Sequence, residues 1–164
     1  MKIIKAITAV MALLSLSSCS EFGSEIIYDI SPIELYIYLT DEGGDNLLDT
    51  PESGIDVGKI LITYDGKTYS PEIVETKAYF PIFYGLRLTS DTYGNSMLTF
   101  GELDGSEDID NSDVVINWGD GTSDTITIFN KCRLTVSGKL NITRRFYVNG
   151  KKTESDIARF VFVK

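Results

Sequence analysis

Apolar and polar side chains alternate along most of this chain. Ile33, Leu35, Ile37 and Leu39 are interleaved with Glu34, Tyr36, Tyr38 and Thr40, the period-two pattern of a strand with one buried and one solvated face. Lys59 to Tyr64 is rich in Ile and Leu and ends at Asp65-Gly66. Both central residues of a type I′ turn take positive φ, which this dipeptide tolerates, so a short return strand at Lys67–Tyr69 is predicted, stopped by Pro71. Residues 82–90 and 97–103 flank a turn at Asp91–Ser96, and Val114–Trp118 and Thr125–Phe129 flank Gly119-Asp120-Gly121-Thr122. Further strands are predicted at Leu134–Val136, at Leu140–Val148 and, after Asn149-Gly150, at Ile157–Val163. No window of a dozen residues carries a helical apolar period. About nine or ten short strands between turn signals predict an all-β chain. The expected fold is a single antiparallel β-sandwich, immunoglobulin-like and Greek-key in architecture, over residues 28–164. The Cys…Trp…Cys spacing of true immunoglobulin domains is absent, so the expectation concerns architecture alone.

The N-terminal residues follow another pattern. Lys2 and Lys5 precede an uncharged, mostly apolar stretch of 11 residues, Ala6–Leu16. Crossing about 30 Å of hydrocarbon takes roughly 20 helical residues, so this stretch is too short to span and suits a secretory signal. Leu16-Ser17-Ser18-Cys19 then resembles the lipobox of bacterial lipoproteins: an aliphatic residue and two small ones ahead of the cysteine that carries lipid. The resemblance implies a signal peptide at 1–18, acylation (palmitate-type) of Cys19, a solvated tether at 19–27, and the membrane as partner through that lipid. Several acyl chains, at about 0.8 kcal/mol per CH₂, make such an anchor effectively permanent. Ser20 stands where the lipoprotein sorting pattern places Asp for inner-membrane retention, which implies the outer membrane, facing the periplasm or the cell surface.

Composition narrows the function classes. The chain has 24 Asp and Glu against 15 Lys and Arg, and losing Lys2 and Lys5 with the leader takes its formal charge from −9 to −11. That balance argues against a nucleic-acid partner, because phosphate neutralisation needs a basic face. There is no His, so no Ser-His-Asp or Cys-His nucleophile, His-ligated zinc or haem, or imidazole base can be assembled. With Cys19 acylated, Cys132 is left alone and an intramolecular disulfide is excluded. Lys131 and Arg133 beside it would favour a thiolate, but a small buried apolar residue in a strand is the commoner role of a free cysteine. Charge is also segregated. Leu88 to Asn130 carries nine acidic residues and no base, whereas Lys131 to Lys164 carries nine bases against Glu154 and Asp156. Adjacent strands from the two blocks would pair opposite charges, or the segregation would give a dipolar surface that orients the domain on its membrane.

The loop from Asp104 to Asp113 concentrates Asp104, Glu107, Asp108, Asp110 and Asp113 among Ser and Asn. Calcium takes six to eight oxygens, which such a loop can supply. Ile109 and Val115 stand where an EF-hand needs Gly and Glu, so the candidate is an irregular calcium site, with a solvated acidic loop as the plain alternative. No other cofactor is indicated. Tyr36 and Tyr38 project from the polar side of the first strand about 7 Å apart, and Tyr79, Phe80, Phe83 and Tyr84 cluster around Pro81. Exposed rings would stack on a glycan; the alternative is packing with the hydroxyl left wet. Ile116-Asn-Trp-Gly-Asp-Gly-Thr122 resembles a stretch of PKD-type surface domains, and reads equally as a tight hairpin with Trp118 in the core. A carboxylate pair for glycoside hydrolysis is the remaining enzymatic reading, but no pair is singled out by position.

As a whole the chain resembles the uncharacterised small lipoproteins of Bacteroidetes-type bacteria. The resemblance rests on the lipobox and on Asp41-Glu-Gly-Gly-Asp-Asn-Leu-Leu-Asp49, Ala78-Tyr-Phe-Pro-Ile-Phe-Tyr-Gly85, Phe100-Gly-Glu-Leu-Asp-Gly105 and Asn117-Trp-Gly-Asp-Gly-Thr-Ser-Asp-Thr-Ile126. It implies a β-sandwich module at the cell envelope and brings no catalytic residue. Asp124-Thr125-Ile126 resembles the O-glycosylation motif of those bacteria, with Thr125 as acceptor. The resulting expectation is a non-enzymatic, lipid-tethered module that binds or scaffolds a protein or glycan. A calcium-dependent or glycan-binding surface module is the alternative.

Overall fold

The computed structural model describes residues 28–49, 53–72 and 83–164. The predicted leader, Cys19, the predicted tether, Tyr79 and Phe80 lie outside these residues. Ten strands form among them: β1 (Ile33–Thr40), β2 (Leu61–Tyr64), β3 (Lys67–Tyr69), β4 (Leu86–Ser90), β5 (Ser96–Leu103), β6 (Ile109–Asn117), β7 (Ser123–Leu134), β8 (Leu140–Val148), β9 (Lys151–Lys152) and β10 (Arg159–Val163). They make two sheets, in the orders β10-β1-β5-β4 and β3-β2-β6-β7-β8-β9. The chain changes sheet between β1 and β2, β3 and β4, β5 and β6, and β9 and β10. The result is a β-sandwich.

Alternation decides which faces meet. On β1, Ile33, Leu35, Ile37 and Leu39 are fully buried while their neighbours are half-exposed. Their counterparts across the core are Val114, Ile116, Ile126, Ile128 and Phe146 on the larger sheet. Aromatic pairs tie the two layers: Trp118 lies 5.3 Å from Phe162, and Phe146 5.4 Å from Phe160, between ring centroids. Each such side chain removed from water contributes about 1.5–3 kcal/mol. The predicted type I′ turn closes as expected, with φ of 48° and 70° at Asp65-Gly66. Asn149-Gly150 has φ of 50° and 78° but turns β8 into the short β9, and the last strand, β10, joins the other sheet instead.

Three departures from the sequence reading have physical causes. First, β1 and β10 run parallel, Tyr36 facing Arg159 and Thr40 facing Val163, so the smaller sheet is mixed. Second, the acidic stretch is a loop only to Asp108. Ile109 enters the core and starts β6, and a register shift with Asn111 at a φ of 54° absorbs the extra residue. Third, β7 is one strand to Leu134, because Asn130 and Cys132 keep the inner-face parity of Ile126 and Ile128.

That third feature shapes one end of the molecule. On the inner face of the β7–β8 hairpin, Ile128 pairs with Phe146 inside the core, then Asn130 with Arg144, Cys132 with Ile142, and Leu134 with Leu140. Asn130 is fully buried, but Leu134 is 62% and Ile142 40% exposed. The polar Asn130–Arg144 rung marks where the sandwich ends, and the hairpin overhangs beyond it.

Candidate functional site

Asn130 and Arg144 organise this end. The Asn130 side-chain amide donates to the carbonyl oxygens of Gly105 (2.9 Å) and Glu107 (2.7 Å), pinning the 104–108 loop onto the sheet. Its Oδ1 accepts from Arg144 Nε at 3.2 Å, and Arg144 Nη2 reaches the Ser31 carbonyl at 3.4 Å. Gly105 is required here: a Cβ would fall 2.2 Å from the Ser31 carbonyl oxygen. Burial lowers the Arg144 pKa from its usual value, and the nearby Asp156 carboxylate opposes that shift.

Clefts converge on Arg144. A groove of about 450 Å³ runs beside the start of β1, lined by Glu34, Tyr36, Glu102, Arg144, Asp156 and Ile157. Arg144 and Asp156 also wall an adjoining cleft of about 320 Å³ with Asp29 and Ile142. A third, of about 390 Å³, lies toward Arg145, Lys152 and Glu154. At the back of the main groove Glu34 pairs with Arg87 and accepts from Tyr36 Oη at 2.8 Å. Arg87 is only 6% exposed and lies 4.6 Å over the Tyr84 ring. Its Nε and the hydroxyl of Thr99, facing it across β4 and β5, are buried and have no hydrogen-bond partner among the described residues. The groove therefore offers a phenol, carboxylates and one guanidinium on a rigid rim. Such a surface suits hydrogen bonding to a polar ligand.

The predicted site residues are distributed differently from the expectation. Among the described residues no three acidic, Cys or His side chains gather to hold a metal ion. Asp104 Oδ1 accepts from Ser106 N and Oγ at 2.8 and 2.6 Å, and these bonds hold its pKa below the usual range. Asp108 is held low chiefly by the hydrogen bonds from Arg133, at 2.8 and 2.6 Å. Asp110 accepts from Asn111, Asp113 accepts from Thr127 Oγ1 on β7, and Glu107 is exposed. β6 draws Asp110 and Asp113 out along an extended strand, away from the loop that holds the other three.

Tyr36 and Tyr38 lie on the outer face of β1 as expected, but both are half-buried. Arg159 covers the Tyr38 ring at 4.5 Å, so only Tyr36 fronts a groove. Phe83 joins a cluster with Tyr64, Tyr69 and Phe100, at centroid distances of 6.4, 5.3 and 5.3 Å. Trp118 is fully buried and its Nε1 donates to Asp124 Oδ2 at 2.7 Å. Asp120 accepts from Thr122 N and Oγ1, both at 2.7 Å. The Trp118 turn is thus a structural corner. Thr125 is half-buried in β7, its backbone N–H bonded to Asn149, with Asp124 engaged and Ile126 in the core. Cys132 is half-buried and free.

No protein-family model matches the chain, nor does any curated protein or solved structure at a significant level. The site rests on its own geometry. Sequence reading passed over Asn130 and Arg144, yet they left a signal: each interrupts an apolar alternation, and the hairpin register sets them opposite one another.

Proposed function

We propose that this protein is a non-enzymatic lipoprotein of the outer membrane, akin to small Bacteroidetes-type lipoproteins. A lipid on Cys19 tethers a β-sandwich that binds or scaffolds a partner through the groove beside Arg144. The observation that carries the reading is Leu16-Ser17-Ser18-Cys19 placed directly behind an uncharged stretch with two lysines before it. The first described residue, Tyr28, follows the cysteine by nine positions, a tether of at most about 30 Å. Mass analysis of the native N-terminus tests it: a diacylglyceryl thioether on Cys19 is expected, with Cys19→Ser moving the protein out of the membrane fraction. A bare thiol, or a leader still attached, defeats the reading.

A glycan ligand is the second reading, favoured by Tyr36 standing in the same groove as Glu34, Glu102 and Asp156. A phenol face and acceptor carboxylates suit ring stacking and hydroxyl donors. Glycan-array binding by the wild type, lost in Tyr36→Ala and kept in Tyr38→Ala, would support it; an array without hits removes it.

A further inference from the structure

The overhang beyond the Asn130–Arg144 rung carries more apolar surface than the fold uses. Cys132, Leu134, Leu140 and Ile142 share the inward parity of the core residues, but Cys132 and Leu140 are only half-buried and Leu134 and Ile142 are exposed. At the tip, Val136 is fully exposed. The turn that presents it is held by bonds within itself. Thr135 N donates to the Lys139 carbonyl, Gly138 N to the Thr135 carbonyl, and Thr135 Oγ1 both accepts from Lys139 N and donates to its carbonyl, all at 2.9 Å. Backbone polar groups bonded this way lower the cost of moving the tip out of water.

The overhanging hairpin carries bases and no acid of its own. From Lys131 to Arg144 the chain has four bases and no acid, within a protein whose formal charge is −9, and Asp108 of the neighbouring loop is paired with Arg133. Among the described residues Lys131 and Lys139 form no ion pair. Lys131 lies three residues above Leu134, about 10 Å along the strand. That places a cation at headgroup depth if the tip is at the acyl boundary. Tyr28, the first described residue, reaches the same place: its Oη donates to the Gly138 carbonyl in the hairpin turn.

We infer that the overhanging β7–β8 hairpin is a bilayer-docking surface. Leu134, Val136 and Ile142 enter the interface, and Lys131 and Lys139 meet anionic headgroups. The inference rests on the tether reading for its orientation, and it adds a second, protein-borne contact with the membrane. An acidic body would be repelled by the same surface, so the lipid alone would leave the domain free to tumble and the hairpin fixes one end down.

The test uses the full-length acylated protein in vesicles of equal parts phosphatidylcholine and phosphatidylglycerol, with Val136→Trp as reporter. Trp118 is buried and supplies a constant background. A blue-shifted emission, quenching by brominated acyl chains and shielding from aqueous iodide are expected, each weaker in phosphatidylcholine alone. Should the protein float with the vesicles while the reporter remains open to iodide and untouched by bromine, docking is wrong and the tether stands. If Cys19 proves unacylated, the tether reading fails on its own. Docking is then judged by sedimentation of the unacylated full chain with the same vesicles. Salt-sensitive binding weakened at least about tenfold by Leu134→Ser with Val136→Ser is expected. No binding, or binding indifferent to those substitutions with melting unchanged, overturns it.

Discussion

The two ends of β7 are built on opposite rules. At its start, the turn from Asn117 to Thr122 folds back onto the sandwich: Trp118 is fully buried against Phe162, its N–H is taken by Asp124, and Lys164 lies 5.5 Å over the indole while contacting Thr122 and Asp124. At its finish, the turn from Thr135 to Lys139 is bonded, among the described residues, within itself and to Tyr28, and Leu134 and Val136 are exposed. One strand, with one alternation, ends in a core corner and in an overhang. The difference lies in the opposing sheet, which covers the first end and stops short of the second. Apolar character along a strand therefore reports burial only where a partner layer exists.

The largest expected effect breaks the covered end. Trp118→Ala removes a fully buried ring and leaves Asp124 short of a donor, and should cost about 3–5 kcal/mol in urea or thermal unfolding. A loss under about 1 kcal/mol would mean the corner is not part of the core. Next is the rung that divides the two regimes. Asn130→Leu leaves the Gly105 and Glu107 carbonyls and Arg144 Nε without their partner, at about 1–3 kcal/mol. Hydrogen exchange should then rise in the 104–108 loop while β1 stays protected. Equal loss of protection in both would show that the rung does not act locally.

Much of the ladder could be read from residue order because its causes are local. Asp65-Gly66 and Asn149-Gly150 announce positive φ, and the β1 alternation announces its buried face. What escaped is non-local. Nothing near Arg159 says that β10 will lie parallel to β1. The start of β6 at Ile109 was hidden by the carboxylates around it, which read as a loop until one apolar residue is seen to be claimed by the core. The site was harder still. Arg144, Asp156 and Glu102 come from separate segments, and their meeting depends on sheet edges that only the assembled sandwich defines. Among the described residues the carboxylates of the calcium reading are spread apart for the complementary reason: closeness in sequence was undone by strand extension.

Acid sharpens the comparison with a smaller effect. Asp120, at the covered end, is held low by hydrogen bonds from Thr122, and Asp108, facing the overhang, by Arg133. A carboxyl whose folded pKa is depressed contributes stability above its unfolded value, about 3.9, and that contribution is lost as pH falls through the folded value. Melting temperature should therefore fall below about pH 4 from these groups. Both are exposed; Asp108 is held chiefly by its ion pair, which salt screens, whereas at Asp120 the Lys164 charge is a lesser cause behind the Thr122 bonds. Carboxyl carbon NMR titrations at low and high salt should show Asp108 moving back toward the ordinary range and Asp120 moving less. Equal salt responses would erase the distinction.

The smallest expected change is the most informative. Leu134→Ser with Val136→Ser replaces two apolar side chains by polar ones. In a core, such changes rank among the costly substitutions, yet here the expected effect on unfolding is within about 0.5 kcal/mol. Leu134 is largely and Val136 fully exposed, so no cavity forms, and the turn keeps its Thr135–Lys139 bonds. A loss above about 1.5 kcal/mol would show the overhang to be an extension of the core. A neutral result leaves the fold with no use for Leu134 and Val136, so the reason for an apolar tip lies in what the hairpin meets outside the chain.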